Sequence, residues 1–138
     1  MFKRNYMFNV FVISYDFLFF ILYRFWETSP FARNSEDRAV VFLSLILALL
    51  CVSINLQIIH VFSLAFTIEK LIWPVLVAFI ILWFNQHYFL RNHVWLKRIE
   101  KFKALSRRKN ILYTVLVGLF IIVVLANLFY AYQLIKIQ

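Results

Sequence analysis

RNHVWLKRIEKFKALSRRK, residues 91–109, is the only long polar interval between two long apolar ones. Eight of its residues are basic: Arg91, Lys97, Arg98, Lys101, Lys103, Arg107, Arg108 and Lys109. With Glu100 as the single acid, eight cations leave the segment +7 of the chain's formal +9. The apolar runs on either side are near the ~20 residues that a helix needs to cross a bilayer. The basic interval therefore reads as a link outside the membrane, whose charge orients the helices around it.

Composition agrees. The chain has 138 residues, 64% hydrophobic, 20% aromatic and only 15% charged. A soluble domain of that size has too much surface to hide so many apolar side chains. One Gly and two Pro leave too few turn residues for a barrel of alternating strands. Helices are then the remaining spanning element. The expected fold class is all-α and integral to a membrane, with four helices in one domain over 1–138.

Taken in order, the apolar runs are 7–26, 39–67, 71–90 and 111–135. The first follows Lys3 and Arg4 but ends in Tyr23, Arg24, Phe25 and Trp26, with no small-residue cleavage site, so it reads as a retained helix rather than a signal peptide. The second is longer than a bilayer requires and should tilt or project. Glu69 and Lys70 mark a short connection, and Pro74 falls in the first turns of the third run, where proline does least damage. Tyr130, Tyr132 and Lys136 close the fourth as interfacial anchors. With the basic interval in the cytosol, eleven Lys/Arg fall inside (Arg24, Arg33, Arg38 and the eight) and four outside (Lys3, Arg4, Lys70, Lys136). That bias favours both termini outside.

Within the runs, polar residues are the candidates for function. Asp16 is the sharpest, because a carboxylate near the bilayer centre costs about 2.5–3.5 kcal/mol on insertion scales and normally faces protein or water. At about 100° per residue, Asn9, Asp16, Tyr23 and Glu27 form a narrow stripe. Repeated around an oligomer axis, such a stripe makes an acidic ring that passes cations; within one protomer, Asp16 instead pairs with a Tyr, Asn or Arg. The second run carries two polar arcs, Ser44–Ala48–Cys51–Asn55 and, opposite, Ser53–Gln57–His60–Thr67. Opposed arcs point to a helix sandwiched between neighbours, or to pore lining. His60 is either a satisfied hydrogen-bonding residue or a proton-relay site. Asn85, Gln86 and His87 read as a helix end meeting headgroups, and Gly118 and Asn127 as contact positions. His87 and His93 lie six apart, not four, and the lone Cys51 provides no thiolate cluster, so no metal or other cofactor is expected.

In the basic interval Trp95, Ile99 and Phe102 share one helical face, flanked by Leu105, with cations around the rest. Such a helix lies on an anionic leaflet or extends the third helix into the cytosol. Its charge serves topology and lipid contact, or else receives a phosphate-rich ligand such as a nucleotide signal or short oligonucleotide, with the aromatics as stacking platforms. Gly-rich phosphate loops, HExxH and nucleophile elbows are absent from the sequence, so an enzyme is not expected.

Ser14 to Trp26, SYDFLFFILYRFW, with its aromatic–Asp–aromatic start (Tyr15, Asp16, Phe17) and Tyr23–Arg24 near its end, resembles small uncharacterised four-pass membrane proteins common in Bacteroidota. The four-helix format with a basic face also resembles membrane effectors of bacterial anti-phage systems, including the Hailong type. The second resemblance implies a homo-oligomeric channel or membrane-perturbing effector controlled by a nucleotide-derived signal. In such a channel the polar residues Asp16, Asn9, Tyr23, Glu27, Asn55 and His60, singled out by their positions in the apolar runs, are the pore or intramembrane polar candidates. The alternative is a non-conducting scaffold or accessory subunit that docks a partner membrane protein.

Overall fold

The computed structural model describes residues 2–30, 33–62 and 67–137, with 2–5 as backbone only. It is all-helical, and no strand occurs among the described residues. Helix α1 spans Phe2–Glu27, α2 Ser35–Val61, α3 Ile72–Asn85, α4 Val94–Lys103 and α5 Arg107–Lys136. Four stretches are long and apolar enough to cross a membrane: Tyr6–Glu27, Ser35–Val61, one within Ile68–Lys103, and Arg107–Lys136. Lys3, Arg4, Phe31, Ala32 and 63–66 carry sequence expectations that lie outside the described side chains.

Direction alternates along the bundle. Trp26 meets Phe42 at 5.0 Å between ring centroids, so α1 and α2 form an antiparallel pair. Asn85 bonds Ser44 and Asn55 bonds the Lys70 carbonyl, so α3 runs back along α2. Asn127 bonds Ser53 and Gln57, placing α5 against α2. Helix α2 is therefore the central element, touching α1, α3 and α5. Its acidic first turn, Glu36 and Asp37, suits the positive end of the helix dipole.

The second helix stops short of the expected Thr67. It ends at Val61, and Thr67 is extended. Helix carried on to Thr67 would advance about 18 Å beyond Asn55, and three residues could return at most about 10 Å to bring Lys70 beside it. The Asn55–Lys70 hydrogen bond, 3.3 Å long, thus excludes the longer helix. A 3-10 turn, Ile68–Leu71, then feeds α3.

The basic interval is not one helix and does not prolong the third. After α3 comes a π turn, Gln86–Leu90, and a 3-10 turn, Arg91–His93, in which Asn92 (φ 55°) and His93 (φ 54°) are both left-handed. Two successive left-handed residues reverse the chain, and α4 comes back along α1. Trp95, Ile99 and Phe102 are buried against α1, at the spacing of one helical face. Phe102 packs on Phe17 and Phe20, and Trp95 on Tyr23. Ser106 caps α5, accepting the Lys109 N–H at 3.4 Å, so Arg107, Arg108 and Lys109 form the first turn of α5 rather than the end of the amphipathic segment.

Candidate functional site

Asp16 sits midway along α1 with 1% of its surface exposed. Its neighbours arrive from two other elements. The π turn contributes Tyr88, whose hydroxyl donates to Oδ1 at 3.2 Å. Helix α4 contributes Arg98, with Nη1 3.4 Å from Oδ2, and Lys101, with Nζ 3.5 Å from Oδ2. Arg98 also donates to the Tyr88 hydroxyl at 2.6 Å and lies over the Tyr88 ring, 3.8 Å from its centroid. One carboxylate thus faces two cations and a phenol, all far away in sequence.

Local structure explains the gathering. The extra residue of a π turn shifts the side-chain register, a device found often at functional sites. Here it lets consecutive residues serve the same neighbour: Phe89 stacks on Phe19 at 4.1 Å while Tyr88 reaches Asp16. The left-handed pair then turns α4 over α1. Arg98 and Lys101, three apart, lie on the same side of α4, next to the apolar face that anchors it. A buried carboxylate without partners is costly, and removing one partner of a buried pair commonly costs several kcal/mol. The arrangement therefore holds α4 against α1 by charge as well as by apolar packing.

A second polar chain lies beside it. Tyr15 donates its hydroxyl to Asn85 Oδ1, Asn85 Nδ2 donates to Ser44 Oγ at 2.8 Å, and Ser44 Oγ donates to the Val40 carbonyl at 2.7 Å. Asn85 is fully buried, which corrects its expected place among headgroups. On the opposite side of α2, Gln57 donates to Asn127 Oδ1 at 2.7 Å, and Asn127 donates to Ser53 Oγ at 2.8 Å. The two polar arcs of α2 thus meet different helices, Ser44 and Asn55 facing the α3 side and Ser53 and Gln57 facing α5.

Other sequence candidates are more dispersed. Asn9 is exposed and does not join Asp16; Glu27 is exposed and accepts from Tyr23 at 3.4 Å. His60 is partly buried near the end of α2. Gly118 has nothing within 4 Å of where a Cβ would sit, so it is not a close-contact position. Arg91, Lys97, Lys103, Arg107, Arg108 and Lys109 are exposed; Arg98 is partly buried, and Lys101 reaches Asp16 while its side chain stays 47% exposed. Tyr88 is the residue that sequence reasoning missed, because nothing in a helical period signals a π turn. No group of three or more His, Cys, Asp or Glu able to hold a metal occurs among the described residues. No family model matches the chain, and neither does any curated protein or solved structure.

Proposed function

We propose that the chain is a multi-pass protein of the bacterial inner membrane that presents a cationic cytosolic face to a phosphate-bearing ligand, a nucleotide signal or a short oligonucleotide. The observation that carries this reading is the division of labour among the eight basic residues. Asp16 takes up Arg98 and Lys101, while six others stay exposed at the same end of the bundle as Arg24, Arg33 and Arg38. Clustered exposed cations on a fixed helix neutralise phosphates without first having to fold. Under this reading Asp16 is a latch: it fixes α4, which displays Lys97 and Lys103 beside the cations of the first turn of α5. Fluorescence anisotropy of the detergent-solubilised protein with a short oligothymidylate tests it. Wild type should bind at low salt, and Lys97→Gln with Lys103→Gln should weaken binding about tenfold or more. No binding, or equal binding by the variant, would remove the proposal.

A homo-oligomeric channel or membrane-perturbing effector, such as those of anti-phage defence, is the second reading. The largely uncovered apolar surface of α5, where only Val124 and Ala131 are buried, favours it by offering a face for further copies. Ligand drawing Arg98 and Lys101 away would then free Asp16 toward a conduction path. Liposome flux decides between the two readings. Flux in wild type that is lost in Asp16→Asn supports the channel, and negligible flux from both supports the non-conducting docking protein.

A further inference from the structure

Helices α1 and α5 touch only sparingly, and the gap between them is a groove with two chemically different ends. At the C-terminal end of α1 lies a cleft of about 760 Å³, walled by Phe25, Ile111 and Val115 and edged by Arg24, Arg107 and Asn110. Towards mid-helix lies a second cleft of about 760 Å³, with an almost wholly hydrocarbon lining that includes Phe11, Leu18, Leu116 and Phe120. Leu105 borders both, so the two adjoin. From Arg24 to Phe11 on α1, and from Arg107 to Phe120 on α5, the distance along the axis is about 20 Å. One leaflet of a bilayer offers about 15 Å of hydrocarbon, so the groove is long enough for one acyl chain and a headgroup.

Charge selects the occupant. Helix α5 opens with Arg107, Arg108 and Lys109 and has no acid in its first turn. The N-terminal end of a helix is already positive, so three cations there repel the dipole and call for an anion. Arg24 adds a fourth cation from α1, and Glu27 on the same helix is turned to Tyr23. Asn110 holds an amide oxygen enclosed without a hydrogen-bond partner, a costly state that a donor brought into the cleft relieves. A soluble nucleotide would leave the apolar run unfilled, and a plain hydrocarbon would leave the cations unmet.

We infer that this groove is a binding site for one anionic phospholipid of the cytosolic leaflet. Its phosphate lies between Arg24 and Arg107, a headgroup hydroxyl serves Asn110, and an acyl chain runs between α1 and α5 toward Phe11 and Phe120. The inference rests on the membrane-embedded reading above but not on docking of a soluble ligand. It makes the lipid a third wall where the two helices do not close on each other.

Native mass spectrometry of the full chain, released from detergent with equal dioleoyl phosphatidylglycerol and dioleoyl phosphatidylcholine, tests it. Wild type should retain phosphatidylglycerol about tenfold or more over phosphatidylcholine. Arg24→Gln with Arg107→Gln should erase that preference, with unchanged circular dichroism, since both side chains are exposed. Leu116→Trp, which fills the apolar cleft with the cations intact, should lower retention of both lipids. Lys97→Gln with Lys103→Gln, outside the groove, should leave retention unchanged while weakening oligothymidylate binding, so this site and the docking face fail separately. Equal retention of the two lipids by wild type, or an unaffected Leu116→Trp, would overturn the inference. So would displacement of the lipid by glycerol 3-phosphate, which would assign the site to a free phosphate.

Discussion

Asp16 shows how little a residue's identity says about its role until its partners are known. The same carboxylate that would line an acidic ring is here enclosed by Tyr88, Arg98 and Lys101. Replacing it with Ala leaves two cations that are partly exposed and can turn to water, so the loss of stability should be moderate, about 1–3 kcal/mol. Arg98→Ala removes both the ion pair and the hydrogen bond to Tyr88. A double-mutant cycle on Asp16 and Arg98, read by thermal unfolding in detergent, should give a coupling of about 0.5–3 kcal/mol. A coupling near zero would mean that the pair holds nothing. Asn85 is the more exacting test of polar satisfaction, because it serves Tyr15 and Ser44 at once while fully buried. Asn85→Leu leaves both hydroxyls without this partner and should cost about 2–4 kcal/mol, more than Asn127→Leu on the partly exposed side of α2.

At the scale of elements, α4 and the turns before it decide the shape of the basic end. Trp95, Ile99 and Phe102 were legible as one face, since burying apolar residues at helical spacing is a local rule. Which helix they would cover was not legible. It depends on Asn92 and His93 taking left-handed angles, which both residue types adopt more readily than most but which neither one dictates. A short bifunctional maleimide should therefore join Tyr23→Cys to Trp95→Cys in a Cys51→Ala background, reporting α4 docked on α1. Adding Asn92→Val and His93→Val, which disfavour the left-handed region strongly, should abolish that cross-link. If the cross-link persists, the return of α4 does not depend on the turn. The π turn was equally hidden, because a single extra residue leaves the apolar run of the third span intact.

For the molecule as a whole, the cations of the basic interval form one field rather than eight separate charges. Binding of a short single-stranded oligonucleotide should weaken with salt along a log–log slope of about −2 to −4, as expected for some three to six phosphates neutralised. A slope near zero would show that the face holds no phosphates. Lys101→Gln should change that slope little, since Lys101 is already engaged by Asp16, whereas Lys103→Gln should reduce it. Four long apolar runs, the charge asymmetry between the two ends and the amphipathic face of α4 were all determined by the sequence alone. Each depends on composition or on spacing within a turn or two, where local physics suffices. The stopping point of α2, the return of α4, the partners of Asp16 and Asn85 and the groove between α1 and α5 were decided only by the tertiary structure. Those contacts join residues as far as 85 apart. Helical periodicity says which way a side chain faces on its own helix. Which neighbour stands opposite is set by how the whole bundle closes.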